Sequence, residues 1–467
     1  MTNKHNLLLA YYGDDFTGST DALEFLSRAG IKTVLFIDTP TPGQLSRYEG
    51  LQAIGVAGTT RAMPPAEMEK VLLTAFEALK QLGAPHVHYK VCSTFDSSPG
   101  IGSIGKAADV GAQVFNARFI PLLVAAPALG RYCAFGNLFA RMEIGSTGEI
   151  FRLDRHPSMS KHPVTPADES DLRLHLSKQT TKTTGLVDVA DLEKRQDIAQ
   201  TKLQSEITKG SDVVLFDGLN DGHLLTAAKL IDGYASEGKP LFSIGSSGIE
   251  MALGSLWQER GISTPKTAWA DPGKAKSMLV ISGSCSPVTA KQITYASAQD
   301  FAEIELDTQA VVRSTDMSAT VAPYIHLISE LMQRGIPVIL HTSVGTADPR
   351  FEKTYELFSQ QGLSQNDIRS KTAQLYGAAL GMIALGVAEK ANLQRLIIAG
   401  GDTSGYAARA LGIEAVEMIA PLSPGAPLCK AYAPGSAADG LEVNFKGGQV
   451  GAHNYFEMVL NGQNITA

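Results

Sequence analysis

Short apolar runs alternate along this chain with longer stretches whose apolar residues recur at helical spacing. Residues 7–12, 32–37, 86–91, 119–125, 213–216 and 240–244 read as buried strands. Between the first two, Ala22, Phe25, Leu26 and Ala29 fall at i, i+3, i+4 and i+7 and so share one face of a helix. Such alternation leaves little freedom. Successive strands joined by a helix-long crossover run parallel, and a sheet of wholly apolar strands needs helices on both faces.

The pattern stops after Trp257 at GISTPKTAWADPGKAK, residues 261–276, which holds two prolines and two glycines. It resumes with strands at 277–281, 302–306, 337–341 and 396–399 and with helices such as 373–391. The expected fold class is therefore α/β, with two domains of mainly parallel sheet, 1–262 and 275–467, and an active-site cleft between them. A length of 467 residues fits, since domains commonly run about 100–200 residues and α/β units larger. No fixed-period repeat or low-complexity tract favours a solenoid or scaffold.

Charge narrows the partners. The net charge of −7 and a pI near 5.8 argue against a general nucleic-acid or anionic-membrane surface. The start, MTNKHNLLLAYYGDD, has an apolar run too short for a signal segment and far below the roughly 20 residues of a membrane span. A cytoplasmic protein is expected, and a homo-oligomer remains open. Cys92, Cys133, Cys285 and Cys429 are scattered without a CxxC pair, so they read as reduced thiols.

Two glycine patterns coincide at 100–106. Gly100, Gly102 and Gly105 match GxGxxG, and Gly105-Lys106 completes all of a P-loop except its last position, where Ala107 offers no oxygen to a metal. Both motifs should follow a strand directly, yet the segment STFDSSP intervenes. These glycines are expected to shape a loop and a helix start, or a nest of N–H groups facing a ligand.

Stronger chemistry lies at strand ends. The first strand runs into Gly13, then Asp14 and Asp15, with a helix expected from about Asp21. Paired carboxylates at the carboxyl end of a parallel strand sit where open α/β sheets bind ligands. One aspartate is enough to cap the helix, so the second is in excess. Lys90, Ser93, Thr94 and Asp96 follow another strand, and Arg61 follows the apolar run 51–56. Cations there suit a carboxylate, which arginine can hold bidentately. In the second half, Ser282, Gly283, Ser284 and Ser286 follow one strand, and Gly400, Gly401, Asp402, Thr403 and Ser404 follow another. A third loop, at Gly447 and Gly448, lies near the C-terminus. Such loops bring backbone N–H groups onto phosphate oxygens, while hydroxyls and Asp402 could orient Mg2+ or a ribose. His341 and His162 read as hydrogen-bonded structural residues.

The chain resembles the four-carbon acid sugar kinase family over nearly its whole length. The resemblance rests on GDDFTGSTDAL at 13–23, KVCST at 90–94, GRYCAFGNLFAR at 130–141, HPVTPADESDL at 162–172, GSSGIE at 245–250, SGSCSPVTAKQ at 282–292, GGDTSGYAARALG at 400–412, PGAPLC at 424–429 and FKGGQVG at 445–451. It implies an N-terminal domain for the sugar acid, a C-terminal domain for ATP, and phosphoryl transfer assisted by Mg2+. Carried onto this sequence, residues 282–286, residues 400–404 and Gly448 match the nucleotide loops, and Asp14, Asp15, Arg61 and Lys90 match the substrate side. Asp15 is the expected general base, with Asp14 orienting the polyol, or the two roles exchanged.

One departure bears on the acceptor. Many members continue the lysine motif as DSTLRGN, whereas this chain reads CSTFDSSPGIGSIG and lacks that arginine. A 3-oxo-tetronate or a branched 3-oxo-isoapionate is thus as good a candidate as a straight-chain tetronate. Two rivals stand beside the kinase: an NAD-dependent oxidoreductase built on Gly100 to Gly105, and a non-catalytic sugar-acid-binding protein.

Overall fold

The computed structural model describes residues 6–142, 148–162, 164–236, 238–345 and 347–463, save the side chains of Asn366 and Asp402. The chain divides into two compact units, Met1–Thr267 and Ala268–Ala467.

Unit 1 contains β1 (Leu9–Gly13), β2 (Thr33–Phe36), β3 (Ala53–Ala57), β4 (His86–Lys90), β5 (Ile120–Leu123), β6 (Arg131–Ala134), β7 (Asn137–Arg141), β8 (Ile150–Arg152), β9 (Thr184–Val187), β10 (Val213–Phe216) and β11 (Leu241–Gly245). The order β2-β3-β1-β4-β11-β5-β10-β9 makes a sheet in which every pairing is parallel. Every residue of β1 to β5, β10 and β11 is buried, as strands covered on both faces must be, including His86, His88 and Lys90 of β4. Helices cover the sheet; on that formed by Pro65–Gln81, Phe76 packs edge-on against Tyr12 and Tyr89.

Register carries functional weight here. Gly13 is paired with both Ala57 and Lys90, and Lys90 with Gly245. Parallel strands in register release their following loops at one edge, so the loops after β1, β3, β4 and β11 emerge side by side.

Unit 2 contains β12 (Met278–Ser282), β13 (Ala302–Glu305), β14 (Val338–His341), β15 (Arg395–Ala399), β16 (Ala415–Ser423), β17 (Ala426–Tyr432) and β18 (Glu442–Lys446). Their order is β13-β14-β12-β15-β18-β17-β16, parallel as far as β18 and antiparallel from there. Met278, Val280, Ile339, Ile397, Leu428, Tyr455, Phe456 and Val459 form one core cluster. Arg395 is wholly buried; it donates to Glu442 Oε2 at 2.7 Å and to the carbonyl of Val459 at 2.6 Å, tying the helix Tyr455–Asn461 to the sheet.

The fold is α/β with mainly parallel sheet, and the sequence-based strands agree to within about two residues. Three features differ. The helix after β1 starts at Phe16, not near Asp21, because Asp15 caps it. The small antiparallel sheet β6-β7-β8 and the hairpin β16-β17 interrupt the alternating pattern. Among the described residues, no helix is long and apolar enough to cross a membrane.

Candidate active site

Unit 1 gathers charge at the carboxyl edge of its sheet. The backbone around Asp14 is stitched to its neighbours: Asp14 N donates to Lys90 O at 2.8 Å, and Arg61 N donates to Asp14 O at 3.0 Å. Side chains from three loops are thereby held together.

The two aspartates differ sharply. Asp15 accepts from Gly18 N at 2.7 Å and from Thr17 Oγ1 at 2.8 Å, and pairs with Arg61 Nη2 at 2.6 Å. It is the helix cap and a fixed counter-ion. Asp14 is 2% exposed, and its buried Oδ1 has no hydrogen-bond partner. Burial first, and the neighbouring charge of Asp15 second, push its carboxyl up to about 7, although Arg61 and Lys90 pull the other way. Of the two expected assignments, Asp15 as base with Asp14 orienting the polyol or the reverse, the geometry favours the second: Asp15 is engaged by a cap and a guanidinium, whereas Asp14 Oδ1 has no partner.

Lys90 is buried, with Nζ 3.4 Å from Asp21 Oδ2 and donating to Val91 O at 3.2 Å. Burial opposes its charge, but the carboxylates of Asp21, Glu250 and Asp14 outweigh it and hold the ammonium protonated. A Cβ added at Gly18 would stand 2.6 Å from Asp15 Oδ1, 3.4 Å from Lys90 Nζ and 3.8 Å from Asp14 Oδ1. These three groups thus surround one point, kept open by the missing side chain. Arg61, in a short 3-10 turn, has one guanidinium nitrogen on Asp15, which leaves less of its fork for a ligand than a bidentate grip needs. Ser93 and Thr94 lie buried in the turn after β4, where Phe95 takes a left-handed conformation and Thr94 Oγ1 is 3.0 Å from Cys92 Sγ.

A polar layer beneath this edge escapes the sequence reading. Glu250 is fully buried with neither oxygen hydrogen-bonded, and burial raises its carboxyl to about 8. His88 Nε2 lies 3.7 Å from it, and burial together with the charge of Lys90 lowers that imidazole to about 3. The signal was available: His88 and Lys90 are two apart on one strand and so point to the same face, and Glu250 ends GSSGIE.

The glycines at 100–105 behave as a structural loop. Ser103 caps the helix Ile104–Phe115, Gly105 N donates to Gln179 Oε1 at 3.3 Å, and Lys106 pairs with Glu69 at 3.2 Å. Gly102, at φ +59°, donates its N–H to Met63 O, and a Cβ there would stand 2.5 Å from the carbonyl of Arg61. His162 Nδ1 accepts from Thr165 N, and His341 lies between Glu303 and Arg350, both as hydrogen-bonded structural residues.

In unit 2 the loops after β12, β15 and β18, three neighbouring strands, converge. Gly283 N donates to Ala399 O and Gly400 N to Lys446 O, each at 2.9 Å. Ser284 Oγ donates to Thr289 Oγ1 at 3.2 Å, and Thr289 Oγ1 donates to Gly448 O at 3.1 Å. Side chains at these glycines would collide: a Cβ on Gly283 would be 2.5 Å from Thr403, and one on Gly448 3.0 Å from Ser284 Oγ. Gly400, at φ +129°, leads into the helix Gly401–Ala410, whose N-terminus has no side-chain cap. Ser404 Oγ and Thr403 Oγ1 instead donate backwards to Gly400 O. Ser286 caps the helix Pro287–Ser297, and Ser282 Oγ accepts from Ser284 N. A cradle of glycine backbone ending in an uncapped helix suits a polyphosphate. The side chain of Asp402 lies outside the described residues. Among those residues, no group of three or more His, Cys, Asp or Glu side chains is placed to hold a metal ion.

Comparison with known proteins agrees with this division. A sugar-binding N-terminal domain matches residues 9–253 and a nucleotide-binding C-terminal domain matches residues 279–456. The chain is similar to 3-oxo-isoapionate kinase of Paraburkholderia graminis, 42% identical over 98% of this chain and 95% of that one. It is also similar to 3-oxo-tetronate kinase of Salmonella typhimurium, 28% identical over 96% of this chain and 98% of that one. A solved structure from Salmonella typhimurium LT2 superposes with a TM-score of 0.71 at 26% identity, covering 97% of this chain and 98% of that one. With both domain models matched in order and a relative this close along its whole length, the chain belongs to the four-carbon acid sugar kinase family.

Proposed function

We propose that this chain is a cytoplasmic, ATP-dependent kinase that phosphorylates a hydroxyl of a small sugar acid, with a branched 3-oxo-isoapionate-type acid as the leading acceptor. One observation carries the reading: a single chain holds a glycine cradle for phosphates in unit 2 and a floor of buried carboxylates and cations in unit 1. The choice of acceptor rests on the 42% relative and on the replacement of the arginine-bearing DSTLRGN pattern after Lys90.

In this reading Lys90, assisted by Arg61, takes the substrate carboxylate, and Ser93 and Thr94 face its hydroxyls. Asp14 accepts the proton of the attacking hydroxyl. Its raised carboxyl suits that task, since a general base works best when its pKa lies near the working pH. Asp15 keeps Arg61 and the helix Phe16–Arg28 in place. In unit 2, Ser284, Ser286, Gly401 and Gly448 hold the phosphates. Mg2+ entering with ATP would spread the charge of the transferred group, and the loop at 400–404, with Asp402 and its hydroxyls, is where this chain would orient it. The oxidoreductase reading loses its footing because Gly105 N is already engaged by Gln179.

The test is ADP release over a panel of four- and five-carbon sugar acids with ATP and Mg2+. The expected result is turnover with the highest kcat/KM for 3-oxo-isoapionate. Absence of ADP release with every acid, or acid-dependent reduction of NAD, overturns the assignment.

A further inference from the structure

Lys446 ends β18, and its side chain is fully buried. Nζ donates to Thr289 Oγ1 at 3.1 Å and to Gly447 O at 2.9 Å, and it lies 5.8 Å from the centroid of the Tyr455 ring. Two other buried cations have carboxylates, Lys90 with Asp21 and Arg395 with Glu442, while the buried Arg131 is held by three carbonyls. Among the described residues, no carboxylate lies within ion-pair distance of Lys446. The titratable group packed against it is Tyr455, whose hydroxyl donates to Asn444 Oδ1. Burying an ammonium without a counter-ion is costly, and burial accordingly lowers Lys446 to about 7.

Its position shows what could offset that cost. Gly400 N bonds to the carbonyl of Lys446 itself, and Thr289 Oγ1 connects Nζ to both Ser284 Oγ and Gly448 O. Both hydrogen-bond acceptors of the ammonium, Thr289 Oγ1 and Gly447 O, therefore lead to the glycine loops. An ammonium has three N–H donors, and two are used. We propose that Lys446 supplies the counter-charge for the bound nucleotide, its remaining N–H donating to a phosphate oxygen. This deepens the nucleotide reading of unit 2 and rests on it.

Calorimetric titration of the whole protein tests it, with ATP and adenosine as probes. Lys446→Met should weaken ATP by roughly 10- to 100-fold, the range for loss of one charge-assisted hydrogen bond, and leave adenosine affinity unchanged. Equal losses for ATP and adenosine, or none for either, overturn the proposal. Wild-type protein supplies a measurement independent of the variant's folding. Because the free lysine titrates near 7 and the bound one stays charged, ATP binding at pH 8 should take up close to one proton, seen by repeating the titration in buffers of different ionisation heat. Zero uptake at pH 8 refutes it. A Gly448→Val control separates the two readings: if that variant loses ATP while Lys446→Met does not, the nucleotide site stands and Lys446 is not part of it. If the wild type binds no ATP, both fall.

Discussion

Asp14 and Asp15 are adjacent residues of the same chemistry in different surroundings, one with an unpartnered buried oxygen and one engaged by a helix cap and a guanidinium. Asp14→Asn keeps the shape and removes the acceptor, so kcat should fall by about 10²–10⁴ while the Kd for ATP is unchanged. Retention of more than about a tenth of kcat would exclude it as base and pass the role to Asp96, whose Oδ1 is also buried and unpartnered. Because Asp14 must be unprotonated to act, wild-type kcat should decline as pH falls through about 7. Asp15→Asn should instead lower thermal stability and raise KM, since it weakens a cap and an ion pair. Glu250 bears on stability. Its folded carboxyl is raised to about 8 from an ordinary 4.5, so the unfolded chain releases this proton first as pH rises. Its contribution is complete below about 4.5 and lost as pH climbs through about 8. Glu250→Gln should therefore flatten the decline in melting temperature between pH 5 and 8.5, and an unaltered profile would show that this carboxyl does not titrate there.

The elements explain what was legible in the sequence. Parallel strands buried on both faces are continuous apolar runs, and the loops that follow them in register are where ligand chemistry must lie. Asp14, Lys90 and the glycine loops could be picked out for that reason. The hairpin β16-β17 was hidden because its turn, Pro424-Gly425, reads as part of a motif, and β6 to β8 because they are only three to five residues long and their burial alternation does not match residue type, Arg131 facing in while Tyr132 and Phe139 face out. Strand period puts His88 on the face of Lys90, but that Glu250 and Asp21 meet them depends on contacts between elements far apart in sequence, which periodicity does not encode. Two element-level outcomes follow. Gly18→Ala should depress turnover strongly with ATP affinity intact, since its methyl would enter the space bounded by Asp15, Lys90 and Asp14. Arg395→Met should destabilise by about 3–5 kcal/mol in denaturant titration, because it strands Glu442 and several carbonyls of the C-terminal segment. A loss below about 1 kcal/mol would show that the arginine is dispensable to the core.

For the whole molecule, two units with separate chemistries should respond separately to their ligands. Hydrogen exchange with ATP present should slow at 282–286, 400–404 and 446–448, and with the sugar acid at 13–18, 60–62 and 90–96. The reverse pattern would exchange the assignments of the units. The segment between β4 and the helix Ile104–Phe115 is moored at both ends, by Val91 N on Gly245 O at 2.7 Å and by Gly102 N on Met63 O at 3.0 Å. Its interior therefore changes without unpicking the sheet. On the proposed placing of the acceptor, a laboratory library confined to Ser93, Thr94 and Asp96 should alter the diet of the enzyme while leaving its architecture intact, and variants that change melting temperature but not acceptor preference would count against that placing.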